Sequence, residues 1–152
     1  MMNTFKTIEE VLDFAMQGEQ DAVDLYTRLA NVSENSEMHD IFMQFAKEEM
    51  GHKSKLLKIK EEGILESSLV SVTDMKISDY ISDIEPQPDM DYRDALILAM
   101  SNEKAAFKLY TRLAQEAPFA ELKNIFLNLA QEEAKHKLRF ELEYDEFVLR
   151  DN

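Results

Sequence analysis

A six-residue string occurs twice in this chain. Residues 48–53 read Glu48-Glu49-Met50-Gly51-His52-Lys53, and residues 132–137 read Glu132-Glu133-Ala134-Lys135-His136-Lys137, an offset of 84 positions. The same offset carries Glu19 onto Glu103 and Tyr26 onto Tyr110. Compared without a gap, residues 11–58 and 95–142 are identical at 19 of 48 positions, including Leu25-Tyr26-Thr27-Arg28-Leu29-Ala30 against Leu109-Tyr110-Thr111-Arg112-Leu113-Ala114. A repeat at fixed offset outranks any local propensity. It makes the chain two copies of one supersecondary unit, with an approximate twofold axis through the core.

That unit is a helical hairpin. With only 3 Gly and 3 Pro in 152 residues, 45% of them hydrophobic, little interrupts long helices. Helix 1 is expected to start at Thr7, with Glu10 completing a capping box. Its apolar seam is Ile8, Leu12, Ala15, Glu19, Ala22, Tyr26 and Leu29, in alternating steps of 4 and 3 that mark one buried stripe. Ser33 to Ser36 form the turn. Helix 2 runs to about Glu62, with Gly63 as its stop signal and a seam of Met38, Phe42, Phe45, Glu49, His52, Leu56 and Ile59. Glu48 falls one position off that line, so Glu49 is the expected inward carboxylate. Helix 3 opens near Asp89 or Asp91, with a seam of Tyr92, Leu96, Ala99, Glu103, Ala106, Tyr110 and Leu113. Pro118 marks the second turn. Helix 4 carries Leu122, Phe126, Leu129, Glu133, His136, Phe140 and Phe147.

Residues 64–90 have no sustained helical period and include Pro86 and Pro88. So long a connection is unusual between adjacent antiparallel helices. It suits a chain that must travel back along the bundle, since a helix of this size is about 40 Å long. A short helix over Thr73–Ser82 is expected to lie across the bundle. The expected architecture is all-α: a four-helix bundle in one domain over 1–152, with hairpin 1 at about 7–63, a crossover at about 64–90 and hairpin 2 at about 91–150.

The seams carry the chemistry. In each Glu-x-x-His the carboxylate and imidazole lie on one helix face, one turn apart. In an antiparallel hairpin, residues equidistant from the turn lie at one height. Glu19 and the Glu49/His52 pair average to about position 35, in the first turn; Glu103 and the Glu133/His136 pair average to about 119, beside Pro118. Both hairpins thus bring their polar seam residues level. A single Glu or His on an apolar stripe is usually partly exposed or locally satisfied. Six at symmetric, level positions are not explained that way. Four ionised carboxylates in a core would cost many kcal/mol unless protons or cations offset them, and no Lys or Arg lies on any seam. Two divalent metals would neutralise them. Carboxylate and imidazole without thiolate suit iron or manganese, with zinc as another option. Tyr26 and Tyr110, two turns beyond Glu19 and Glu103, are placed to hydrogen-bond ligand carboxylates, although plain core packing accounts for them as readily. Arg28 and Arg112 read as hairpin-end ion pairs.

Composition excludes other classes. A net charge of −14 argues against nucleic acid or an anionic membrane surface as partner. No apolar run is long enough for a membrane span. With no cysteine there is no disulfide, thiol catalysis, iron–sulfur cluster or Cys₄ iron site. The first residues lack the basic and apolar regions of a signal peptide, so the expected location is cytoplasmic.

Paired Glu and Glu-x-x-His helices are the ligand set already known for di-iron bundles of ferritin-like type, so the match is recognition as much as derivation. Over both hairpins the sequence resembles the rubrerythrin-like branch of that superfamily. The resemblance implies a ferritin-like fold and a di-iron centre held by Glu19, Glu49, His52, Glu103, Glu133 and His136. It also implies an oxidoreductase reacting with hydrogen peroxide or O2 in oxidative-stress defence. A ferroxidase or iron-storage protein is the alternative, and a non-catalytic metal-binding bundle a further one. The sequence departs from the family pattern twice. Rubrerythrins typically carry a C-terminal rubredoxin domain; this chain has no cysteine, so a separate electron-donor protein such as a rubredoxin is expected. They also carry a further glutamate about one turn past the first ligand of helix 3, where this sequence has Ala106, matching Ala22. A homodimer is expected, and the crossover is long enough to permit exchange of hairpins between chains.

Overall fold

The computed structural model describes residues 3–63 and 72–151, and the part of the expected crossover at 64–71 lies outside them. Four long helices carry the fold: α1 (Ile8–Val32), α2 (Ser36–Glu62), α3 (Tyr92–Glu116) and α4 (Ala120–Asp151). Among the described residues there is no strand, only an isolated bridge between Thr4 and Lys76.

Local chemistry sets the boundaries. The Thr7 side chain accepts from the Glu10 amide at 3.2 Å, while the Glu10 carboxylate accepts from Lys6 N at 2.7 Å, so the capping box closes one residue earlier than usual. The Asn35 side chain accepts from the amides of Glu37 and Met38 and starts α2. Gly63 ends α2 at φ 63°, a left-handed conformation that glycine adopts without a Cβ clash. Asp91 caps α3 by accepting from Asp94 N at 2.8 Å.

Most of the expected seam residues bury, in two clusters, while Phe45, Tyr92 and Ala106 are half-buried. Ile8, Leu12 and Ile59 pack with Leu113, Phe126 and Leu129 at one end. Tyr26, Leu29 and Phe42 pack with Leu96, Ala99 and Phe140 at the other. The start of α1 therefore meets the end of α3, and its end meets the start of α3. The two central helices are antiparallel, so α2 and α3 run the same way and the connection between them must span the bundle. Val72 and Met75 are buried in the first cluster, and Ile84 and Met90 pack on the second. Each such side chain removed from water contributes about 1.5–3 kcal/mol, which offsets the cost of the polar belt between the clusters.

The expected helix over Thr73–Ser82 is corrected to a single 3₁₀ turn, Ile77–Tyr80. Phe5 N donates to Met75 O at 3.2 Å and Ile77 N to Asn3 O at 2.7 Å. Those groups are extended against the N-terminal segment and so unavailable for helical bonding. The expected hairpin-end ion pair is present at Arg112 and is corrected at Arg28, and both arginines also clamp the crossover. Arg28 donates to the carbonyls of Pro88 (3.3 Å) and Met90 (2.9 Å), and Arg112 pairs with Asp74 at 2.9 Å as well as Glu116 at 3.2 Å. Phe147 is half-buried rather than a seam residue, and Glu143 takes the core position, accepting from the Tyr92 hydroxyl at 2.7 Å. The architecture is a ferritin-like four-helix bundle. Among the described residues no helix is long and apolar enough to cross a membrane.

Candidate metal centre

Between the two apolar clusters lie Glu19 from α1, Glu49 and His52 from α2, Glu103 from α3, and Glu133 and His136 from α4, each at most 2% exposed. All six expected residues meet. They form two overlapping sets, Glu19–Glu49–His52–Glu133 and Glu49–Glu103–Glu133–His136, and within each set one ligand-type atom per residue lies within 4.8 Å of the others. Each set has one imidazole and one carboxylate of its own, and Glu49 and Glu133 belong to both.

The imidazoles present Nδ1 to the cluster. His52 Nδ1 is 3.1 Å from Glu19, 3.3 Å from Glu49 and 2.9 Å from Glu133. His136 Nδ1 is 3.1 Å from Glu49 and 3.6 Å from Glu103. The two rings are nearly parallel, at 13°, with centroids 6.4 Å apart. Phe45 stacks on His136 at 4.0 Å.

Each outward nitrogen meets a carboxylate that lies one step off the seam. Glu48 accepts from His136 Nε2 at 3.2 Å, and Glu132 lies 3.2 Å from His52 Nε2, though less well aligned. The contacts cross between hairpins: α2 supports the imidazole of α4, and α4 that of α2. A proton held on Nε2 leaves the Nδ1 lone pair free toward the cluster. The repeat carried the signal, since Glu48 and Glu132 are themselves 84 positions apart. Their place one step off the seam made them look solvent-facing.

Burial raises Glu19 and Glu133 well above the ordinary carboxylate range, and Glu103 to about 7. Burial also pushes Glu49 up, but the His136 and His52 imidazoles beside it outweigh that and hold this carboxyl below that range. Burial opposes charge on the imidazoles too, yet the neighbouring carboxylates of Glu19 and Glu49 raise His52 to about 10, and those of Glu103 and Glu49 raise His136 to about 11. In the metal-free protein, therefore, protons supply part of the positive charge that the carboxylates need. They do not satisfy the cluster. Both oxygens of Glu49, one each of Glu103 and Glu133, and His136 Nδ1 are buried without a hydrogen-bond partner. Unpartnered oxygen and nitrogen atoms converging in two sets are what a pair of cations would satisfy, so the donor set fits two metal ions.

The tyrosines differ. The Tyr26 hydroxyl donates to Glu103. Tyr110 lines a cleft that reaches Glu19. Burial holds both hydroxyls well above the usual tyrosine range, so both stay protonated and able to donate. Ala22 and Ala106 line the same cleft.

Searches of curated proteins and of solved structures found no match. The rubrerythrin family model matches residues 10–89 and 94–151, taking in both hairpins and all six clustered residues, and on that match the chain belongs to the rubrerythrin family.

Proposed function

We propose that the protein is a dinuclear-metal oxidoreductase, with iron as the metal, that reduces hydrogen peroxide, or reacts with O2, in oxidative-stress defence. The observation that carries this is the pair of overlapping ligand sets with two shared carboxylates. Glu19 and His52 would hold one ion, Glu103 and His136 the other, and Glu49 and Glu133 belong to both sets. Iron bound there would supply the two electrons, and solvent the two protons, that convert hydrogen peroxide to two waters.

The chain's own groups do the rest. Glu48 orients the His136 imidazole and fixes its tautomer, and Glu132 stands at the equivalent place behind His52. Tyr26 holds Glu103 in place and stabilises its charge. Tyr110 offers a hydroxyl at the cleft, beside the carboxylates, where an incoming oxidant can accept a hydrogen bond. Apolar packing on both sides keeps bulk water out and strengthens each charge interaction. Electrons would return from a separate donor protein of rubredoxin type.

The test is anaerobic loading with Fe(II), followed by rapid mixing with hydrogen peroxide or O2 while ferric absorbance is followed. Much faster oxidation by peroxide supports the peroxidase reading. Equal or faster oxidation by O2 transfers the assignment to ferroxidase chemistry. Failure to bind about two irons per chain contradicts both.

A further inference from the structure

The two open sides of the bundle are not equivalent. Across α2 and α4 the imidazoles are covered by Phe45 and by Glu48 and Glu132. Between α1 and α3 a cavity of about 180 Å³ runs from the surface to the cluster. Its outer part is lined by Gln17, Gly18, Asp21 and Asn102 beneath Tyr80 and Ile81 of the crossover. Its floor is Glu19, Glu49, Glu103, Glu133 and Tyr110, each at most 2% exposed. The unpartnered oxygens of Glu49, Glu103 and Glu133 belong to that floor.

Size and charge restrict what can use the cavity. One water needs about 10–15 Å³ of such volume, so the cavity admits a hydrated ion or a molecule of a few heavy atoms. Five carboxylates line it, and no Lys, Arg or His does. A cation finds only oxygen donors along it and can displace the protons held on the floor, and a small neutral molecule passes.

We infer that this α1/α3 cleft is the passage by which both metal cations and a small uncharged oxidant reach the four carboxylates, with Gly18 and Asn102 as its two lips. The inference rests on the proposed metal centre but not on its peroxidase activity. The lips are repeat partners, 84 positions apart, each immediately before a cluster glutamate. A Cβ added at Gly18 would meet nothing within 4 Å, so bulk can be introduced there without disturbing the core. Gly51 on α2 offers the same free space, away from the cleft, and is the matched control.

The experiment measures the rate at which metal-free protein takes up Co(II), by the rise of its visible absorbance in stopped flow. Gly18→Leu and Asn102→Phe should each slow uptake by roughly tenfold, because loading must then wait for local opening, while the final stoichiometry stays that of the wild type. Gly51→Leu should load at the wild-type rate. Wild-type rates in both lip variants would overturn the passage and leave the metal centre standing, as would equal slowing in the Gly51→Leu control. If the wild type takes up no Co(II), the metal centre fails and the passage with it. If one lip variant does not fold by circular dichroism, the other decides.

Discussion

The α1/α3 side and the α2/α4 side of this bundle are built from the same repeat and do opposite things. On the α1/α3 side the lining includes Gly18, Ala22 and Ala106, and space is left over the carboxylates. On the α2/α4 side the space is filled by Phe45 against His136 and by the crossed contacts of Glu48 and Glu132 with the imidazoles. One side holds the nitrogen donors in a fixed orientation; the other leaves the carboxylates reachable. Separating the two tasks lets the donors stay rigid without sealing the centre.

The largest expected effect comes from the residues common to both sides. Glu49→Ala removes a shared carboxylate and should abolish binding of both metals, whereas Glu19→Ala should leave about one per chain, because the set built on Glu103 and His136 keeps all its members. A metal-binding titration of the two variants compares them, and equal losses would dissolve the distinction between shared and private ligands. Next, Glu48→Gln and Glu132→Gln should each lower metal affinity by about 10–100-fold with the fold intact, the usual range for a carboxylate behind a metal-bound imidazole. Unchanged affinity would reduce the crossed contacts to surface pairing. The smallest effect is expected at the tyrosines. Tyr26→Phe should destabilise the metal-free protein by about 1–3 kcal/mol, since Glu103 loses a buried donor, and Tyr110→Phe by less, which paired denaturant titrations would measure.

Proton linkage gives a further contrast, between the metal-free and loaded protein. His52 and His136 are raised to about 10 and 11, so the stability they contribute is complete below about pH 6.5 and is lost as pH rises through those values. Glu19, Glu103 and Glu133 are also raised, so above the ordinary carboxylate range the folded chain again holds more protons than the unfolded one. Glu49 acts oppositely, but its effect falls at lower pH. The metal-free protein should therefore lose thermal stability steadily from pH 6 to 9. Metal ions displace those protons, so the loaded protein should lose less or gain, and parallel slopes in thermal scans would contradict the cluster's proton load.

What the sequence disclosed and what it concealed follow from the range of the interactions. Seam residues such as Leu12, Phe42 and Glu133 are set by one helix's period and the helix it packs against, so spacing alone located them. The level meeting of the six polar residues followed from hairpin symmetry and the position of the turns. Glu48 and Glu132 escaped because their partners sit on the other hairpin, and an off-seam glutamate resembles any solvated one. The short helix expected over Thr73–Ser82 shrinks to one turn for a similar reason: the N-terminal segment, distant in sequence, claims the backbone groups of Met75 and Ile77. Arg28 and Arg112 recur in the sequence, yet what they hold, Met90 and Asp74, lies outside the repeat. The cleft had no signature at all, because it arises from small side chains on two helices facing each other.

The most direct test of the centre itself is a crystal of the protein soaked anaerobically in Fe(II) and measured at the iron edge. Two anomalous peaks per chain are expected, one against Nδ1 of His52 and one against Nδ1 of His136, with Glu49 and Glu133 reaching both. A single peak, peaks at the surface acids, or iron bound through Nε2 would contradict the account.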